Sequence, residues 1–415
     1  MPIAEGVSTR LVYKAYASGE ITANAQPDKT SAPGASGGQI MRRISSTLNL
    51  SKDAYQSEEV RADRQIADFR HGIRRVTGNV SGDLSPATWF PFFEAVDRST
   101  SAAPLALSEA ELTSVAADNA TAKFTFAGGD PVALGLRVGD VVRFTNLSEP
   151  LNNSRNFLVV SFGGTSNREV TVFPAPTTMG ADTSFNLARP GRTTAPPTTS
   201  HVSRKFAFEE YSADVNVTRL FKECRIGGYR LTLPATGIAR VEFSVLGRDM
   251  EVLTGPDAPF FTAPTAATTT GSLAAVNGLL RVNDTAVGVV TGIDIAHDLS
   301  ATADAVVGQN FVPEIFLGRN NVNGTVTAFF ENATLINNFT NEDEVSILAM
   351  LTTSNAADAD AMAIFLPRVK FGGADRQTAG EGGQVITMPF QALRYGGSAA
   401  GVVDSTIRIH DTAAT

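Results

Sequence analysis

The chain is short of the residues from which catalytic and metal centres are usually built. It has one cysteine, Cys224, in 415 residues. That excludes a disulfide scaffold and a multi-cysteine zinc site. With no evident base near it in sequence, Cys224 reads as a buried apolar residue. Its four histidines, His71, His201, His297 and His410, form no HExxH or HxH pair and carry no triad signature. One tryptophan and six tyrosines leave few platforms for stacking on sugars. Gly227-Gly228 and Gly372-Gly373 are followed by neither a P-loop Lys-Ser/Thr nor a GxGxxG pattern. Glu342-Asp343-Glu344 and the Asp358/Asp360 pair lack EF-hand spacing or a glycosidase context and read as solvated turns. No apolar run approaches the ~18 residues of a membrane span. The N-terminal MPIAEGVSTR lacks a charged n-region and an apolar h-region, so the chain is expected to begin in a cytoplasm. No enzyme activity, metal or cofactor is expected.

What is present is a mildly acidic, moderately apolar chain, with 34 Lys+Arg against 42 Asp+Glu and 43% hydrophobic residues. The acidity is uneven. Residues 256–415 hold 7 basic and 16 acidic side chains, whereas 1–103 hold 12 and 11, 104–198 hold 7 and 8, and 199–255 hold 8 and 7. No segment is basic enough to clamp DNA.

Periodicity favours β structure. Alternation marks Leu11–Tyr16, Arg204–Tyr211, Tyr229–Leu233 and Ala239–Val245, the last two forming a hairpin across Leu233–Ile238. Residues 1–40 otherwise read as an extended arm. The charged segment from Ser51 to Gly72 has no clean period and reads as a long loop. Ser85-Pro86 gives a helix start, with Trp89, Phe90, Phe93 and Val96 at helical core spacing, and Pro91 predicts a short or kinked helix. Residues 104–198 look foreign. They lie between two low-complexity runs and contain five short strand candidates: Lys123–Phe126, Val141–Thr145, Asn156–Phe162, Glu169–Phe173 and Thr183–Leu187. They predict a small inserted β-barrel.

Sliding the sequence by 246 residues reveals a repeat. Val76, Gly78 and Val80 fall on Val322, Gly324 and Val326, and Trp89, Phe90 and Phe93 fall on Leu335, Ile336 and Phe339 without a gap. With slippage, Leu48–Leu50 meets Ile293–Ile295 and Asp53 meets Asp298. Cys224–Ile226 resembles Pro367–Val369, and Val241–Val245 parallels Val385–Phe390. The chain is thus expected to be mainly β, with two tandem sandwich units, each carrying a short helix, and a guest barrel. The predicted organisation is a first unit over 1–103 (with the N-terminal arm) and 199–255, interrupted by the insert at 104–198. A linker at 256–274, a second unit at 275–400 and a tail at 401–415 follow.

Three runs in order, Ile44–Lys52, Glu59–Gly72 and Val80–Pro86, resemble the tail tube (major tail) protein of long-tailed bacteriophages, and Gly135–Phe144 resembles the domain often inserted in that family. The resemblance covers about Tyr13 to Tyr395. It implies two-sheet sandwiches flanked by a helix, closing side by side into rings around a continuous inner barrel. Rings would stack into the tube through which double-stranded DNA passes without specific binding. Most members carry one unit and form hexamers; a tandem unit implies a trimer. It further implies a place in the virion tail after assembly in the host cytoplasm, no membrane, and tape measure, tail terminator and distal tail proteins as partners. Segments reaching along the axis should join the rings. The candidates are the N-terminal arm and the loop 51–72, with Glu58, Glu59, Arg61, Arg64 and Arg70 as interface charges. The acidic second unit would help a channel wall repel phosphate. The rival reading is a surface-exposed tail protein or adhesin binding host glycans, opposed by the scarcity of aromatics and the lack of a β-helix period. A capsid or head-completion protein would form closed shells or a single ring.

Overall fold

A computed structural model describes residues 5–17, 32–274, 278–282, 285–286, 290–330, 334–377 and 383–415. The first half of the fold runs β1 (Thr9–Ala15), β2 (Asn49–Gln56), β3 (Phe69–Asp83) and α1 (Phe90–Asp97). After an eight-stranded excursion it continues as β4 (Arg192–Thr194), β5 (Phe206–Ser212), β6 (Val217–Pro234), β7 (Arg240–Gly247) and β8 (Asp249–Thr254). The second half runs β9 (Gly278–Val282), β10 (Val290–Asp298), β11 (Asn321–Phe329), α2 (Thr334–Thr340), β12 (Val345–Thr352), β13 (Ala361–Phe371), β14 (Asp375–Gln377), β15 (Val385–Ala392) and β16 (Arg408–Asp411).

Period-two alternation builds an inner sheet that spans both halves. Its order is β2-β3-β7-β6-β10-β11-β15-β14, antiparallel throughout. One face buries Val76, Val80, Phe243, Leu231, Ile295, Val326 and Met388. The other exposes Thr77, Asn79, Glu242, Arg230 and Pro389 at least in part. That division suits an antiparallel sheet with one wet side. Two outer sheets cover the apolar face: β1-β5-β6-β8 over the first half, and β9-β12-β13-β16-β4 over the second. A single apolar cluster runs through both halves, from Val76 and Trp89 to Val345 and Ile409. Trp89 stacks on Phe243 with centroids 5.6 Å apart and donates its indole N–H to the Asp83 carbonyl (2.9 Å). The helix face predicted around Trp89 is therefore core. Pro91 produces no kink, because it falls in the first turn of α1, where its missing N–H costs nothing. The helix starts at Phe90, and Ser85 does not cap it.

The halves match in pairing register, not merely in element order. Val76 opposes Gly247, and Val322, 246 residues later, opposes Ala392, 145 after Gly247. The β5–β6 pair skips a register between Phe206↔Cys224 and Phe208↔Phe221, and the β12–β13 pair skips it at the corresponding Val345↔Val369 and Ile347↔Leu366. The structure corrects two of the sequence alignments by two residues. Leu48 corresponds to Ile295 rather than Ile293, each lying against the matched glycine, Gly78 or Gly324. Cys224 corresponds to Val369 rather than Pro367.

The excursion at 105–189 is an eight-stranded antiparallel sheet with its own core of Phe124, Phe126, Phe144, Phe157 and Phe185. Phe124 and Phe144 lie on non-adjacent strands yet sit 4.4 Å apart, so the sheet rolls up. Its end strands, Met179–Asp182 and Leu105–Ser108, make no pairing with each other among the described residues, so it is an open roll. Inserted in the first half by sequence, it docks on the second. Val138, Val141, Leu158 and Val160 pack on Leu348, Met350, Ala363 and Phe365. Beside this contact, the buried carboxylate of Asp140 accepts from the Arg137 amide (2.7 Å) and from the Arg408 guanidinium. His410 accepts the Val141 amide proton at Nδ1 (2.9 Å) and donates from Nε2 to the Pro190 carbonyl (2.7 Å), which fixes a neutral tautomer.

Four segments differ from expectation for physical reasons. Residues 51–72 are not a loop: β2 and β3 carry them as a hairpin with its tip at 57–68. The strand expected at Leu11–Tyr16 is present as β1, but the arm around it is not free, since Ile40 and Gln39 pair with Val12 and Tyr13; residues 1–4 and 18–31 of the expected arm lie outside the described residues. The linker is a packed strap, with Phe261 and Leu273 fully buried. The C-terminal tail is anchored, because β16 pairs with β4 and β13 and is buried along its length.

Two outcomes test this packing. Leu105 and Arg189 are register partners, so 105–189 can be replaced by a short linker without removing β4. The shortened chain should fold, with a lower Tm and new binding of a hydrophobic dye. Each large side chain uncovered forfeits about 1.5–3 kcal/mol; an unchanged Tm would show that docking contributes nothing. Burial holds the His410 imidazole down at about 4, below the ordinary histidine value near 6.5. Between these values the unfolded chain binds more protons, so this contribution is complete above pH 6.5 and is lost as pH falls toward 4. The urea-midpoint advantage of the native chain over His410→Gln should shrink across that window, by at most about 1.4 kcal/mol per pH unit.

Candidate assembly interface

The most exposed feature is the β2–β3 hairpin. Glu58, Glu59, Arg61, Arg64 and Arg70 all lie on it and are exposed, the first four at the tip and Arg70 at the start of β3. The structure thus brings the five predicted charges onto one protrusion. Arg61 pairs with Asp63 (3.3 Å), and Arg70 with Asp68 (2.8 Å), whose carboxyl the Arg70 hydrogen bond holds below its ordinary value. Exposed ion pairs of this kind add little to folding. Sequence reasoning missed the apolar companions. Val60 is wholly exposed, and Tyr55, Ile66 and Phe69 are more than half exposed. These four exposed apolar side chains share one projection with the charges. The strand alternation that would have revealed them is broken by the register shift between Lys52 and Ala54.

A second set of groups joins the halves. Lys205 bridges Glu223 (3.0 Å) and Glu314 (2.8 Å), Arg248 holds Glu223 (2.8 Å), and Arg225 reaches Glu314 (3.3 Å). Glu314 belongs to the 299–320 connection between β10 and β11, which folds back over the first half. The Arg248 Nε also donates to the Val312 carbonyl (2.7 Å). Removing one member of such a buried network costs about 3–5 kcal/mol by stranding a charge.

Among the described residues, no arrangement resembles a reaction centre. Burial pushes the Asp97 carboxyl up to about 8 and the His297 imidazole down to about 4, so both are uncharged near neutrality. They lie 3.6 Å apart, fully buried, and Thr194 donates to Asp97 (2.8 Å). Cys224 is buried, and burial pushes its thiol well above the ordinary range. His71 stands on the exposed hairpin edge-on to Phe69. Among the described residues, no group of three or more His, Cys, Asp or Glu could hold a metal ion, and no helix is long and apolar enough to cross a membrane.

The wet face of the inner sheet is polar and charge-interleaved. Arg240 opposes Asp83 and Arg230 opposes Glu242 across neighbouring strands, and Arg75 pairs with Asp53 (2.6 Å). The acids of the second half lie mostly elsewhere: Glu342, Asp343, Asp358 and Asp404 are outside its strands.

No curated protein matches the chain. The family described as phage tail tube protein matches residues 6–392, nearly its whole length and both halves of the inner sheet. Tandem sandwiches sharing one sheet and a projecting hairpin agree with a structural part of a virion tail, and the chain belongs to the phage tail tube protein family.

Proposed function

We propose that copies of this chain join edge to edge into rings, and that the rings stack into the tail tube through which DNA is ejected. The observation that carries this is the inner sheet: it passes unbroken through both halves and ends in strands, β2 and β14, whose outer edges have no partner among the described residues. Open edges recruit other strands, and a heterologous contact closes a ring when its rotation fits. Each chain supplies two equivalent units, so three chains complete a pseudo-sixfold ring. The wet face of the inner sheet would line the channel. Its opposed charges and Ser, Thr and Asn side chains offer phosphate no unbalanced cationic stripe. Repulsion by an acidic wall, as composition suggested, is the lesser effect, because most second-half acids lie off this face. The 57–68 tip reaches beyond the sheet and would contact the next ring, where tape measure, terminator and distal tail proteins would also bind at the tube's interior and ends. The domain boundaries follow the same logic: one fold twice, with a guest at 104–198 outside the ring seam.

Negative-stain microscopy of purified protein should show hollow tubes or rings with three lobes, and native mass spectrometry of a ring should give three chains. Isolated monomers that bind glycans would sink this reading in favour of an adhesin. Reversing Arg61 and Arg64 to glutamate should leave the monomer within about 0.5 kcal/mol of its stability, as for other exposed sites, while shortening the tubes or abolishing stacking. Unchanged tube lengths would remove the tip from the stacking contact.

A further inference from the structure

The seam between the two halves is β6 against β10, running from Gly228↔Asp298 to Pro234↔Gly292. Among the described residues it is the one place where a first-half inner strand meets a second-half inner strand. The register correspondences carry every residue of this seam to a counterpart. Residues of β6 advance by 145 into β13 and β14: Ile226↔Val245 becomes Phe371↔Phe390, and Leu231↔Val241 becomes Arg376↔Ile386. Residues of β10 fall back by 247 into β2: His297↔Val322 becomes Leu50↔Val76. We infer that the open edge of β14 receives the β2 edge of a second copy in this same register. Gly373 would oppose Ser51, Ala374 Leu50, Asp375 Asn49, Arg376 Leu48 and Gln377 Thr47. The inference rests on the ring reading and adds the identity and register of its joint.

Two observations support it independently of strand order. The first concerns the paired glycines. Gly227-Gly228 and Gly372-Gly373 occupy the same irregularity, where the strand slips by one residue against β7 or β15. In the internal seam the reason for glycine is visible. A Cβ on Gly228 would stand 2.4 Å from the His297 carbonyl oxygen, and the Gly227 carbonyl accepts the Leu299 amide (2.9 Å). A Cβ on Gly373 would meet only the Pro389 ring, at 3.4 Å, an ordinary contact. Nothing among the described residues requires glycine there. A neighbour's Leu50 carbonyl, the counterpart of that of His297, does.

The second is a charged cluster. Lys205, Glu223 and Arg225 correspond to Glu344, Arg368 and Lys370, so the central ion pair recurs with its signs exchanged. Arg368 Nε donates to Glu344 (2.8 Å), and Lys370 lies 3.9 Å away. The first cluster is roofed by the 299–320 connection through Glu314. The second is open, with Arg368 and Glu344 36% and 43% exposed against 8% and 2% for Lys205 and Glu223. The counterpart of that roof is the hairpin of β2 and β3, whose base would cover the neighbour's cluster while its tip runs on.

The test is a cysteine pair, Asn49→Cys with Asp375→Cys, both on exposed positions. Directly opposed antiparallel residues lie within disulfide reach, and the native Cys224 is buried. The control is Arg230→Cys with Ala296→Cys, the corresponding pair inside one chain. Oxidised rings carrying the first pair should run as dimers and trimers on non-reducing gels. The control should close within the monomer. Asn49→Cys with Gly373→Cys, two residues out of register, should cross-link at least tenfold less. In parallel, Gly373→Val should keep the monomer's Tm yet fail to form rings, whereas Gly228→Ala should lower the Tm itself. Rings visible by microscopy with no cross-link, or equal cross-linking out of register, or normal rings from Gly373→Val, would overturn the joint and leave the ring reading standing. Absence of any ring from the native chain would overturn both.

Discussion

The fold turns on one strand that serves two layers. β6 is 18 residues long. Its first half lies between β5 and β8 in the outer sheet, and its second half lies between β7 and β10 in the inner one. A strand paired on both edges in each of two layers cannot slide, because a one-residue shift would turn Phe221, Leu231 and their neighbours out of the core. The change of layer needs local freedom. Glu223 takes a positive φ of 49°, and Gly227-Gly228 sits at the register slip where β10 approaches. β13 and β14 repeat this design in two pieces. The glycine pair lies between them, so the same turn from outer to inner sheet is made with a break in the strand.

The outer sheets also need covering, and the chain meets that need differently in its two halves. Over the first, the strap at 256–274 lays Phe261 on Val12, Ala207, Leu220 and Leu253. Over the second, the inserted roll takes that place, and the C-terminal strand locks it down. Burial alone would raise the Asp140 carboxyl, but the cations around it, Arg408 first, outweigh it and hold the group below its ordinary value. Arg408 on β16 thus ties down one buried anion of the roll, beside the neutral His410 ring that takes the Val141 amide proton. The halves of a duplicated fold need not share a covering, provided each apolar outer face has one.

Much of this was legible in sequence, for a reason specific to strands. Because side chains alternate with period two, the misaligned segments, Leu48–Leu50 and Cys224–Ile226, slipped by two residues and so kept the correct face. The strand–helix block from Val76 to Phe93 aligned without a gap because its spacing is fixed by packing against one sheet. Three strand candidates within the insert matched to the residue and Asn156–Phe162 was one residue early, but Thr183–Leu187 met its strand, Asn186–Arg189, only at the end, and Leu105–Ser108, Val115–Asp118 and Met179–Asp182 had no candidate. Pairing partners were not legible. Arg408–Asp411 has the same composition as a solvated tail, and only its neighbours Thr193 and Ala363 make it core. The sequence of the two glycine pairs showed only that they lack a phosphate-loop pattern. At Gly228 the backbone role depends on the His297 carbonyl, far along the chain, which no local pattern records.

In the proposed ring, joining two units in one chain would change the energetics of closure. Every intermolecular joint must offset lost translational and rotational freedom, a cost of several kcal/mol or more. A ring of six single units makes six such joints; a ring of three tandem units makes three, because β6 and β10 are already held together by the chain. The edges left open are correspondingly modest. β14 is a three-residue strand, and β2 carries Lys52 and Asp53, features that discourage indiscriminate strand addition. Neither edge presents a long flat apolar surface, so the gain on pairing must come from the whole interface. In the proposed joint, the glycine step, the short ladder and the open Glu344–Arg368 cluster would have to meet their counterparts together. A wrongly registered partner would place a Cβ-bearing backbone against Gly373 out of step and leave the cluster unroofed. Specificity would then arise from requiring three weak contacts at once rather than from one strong edge.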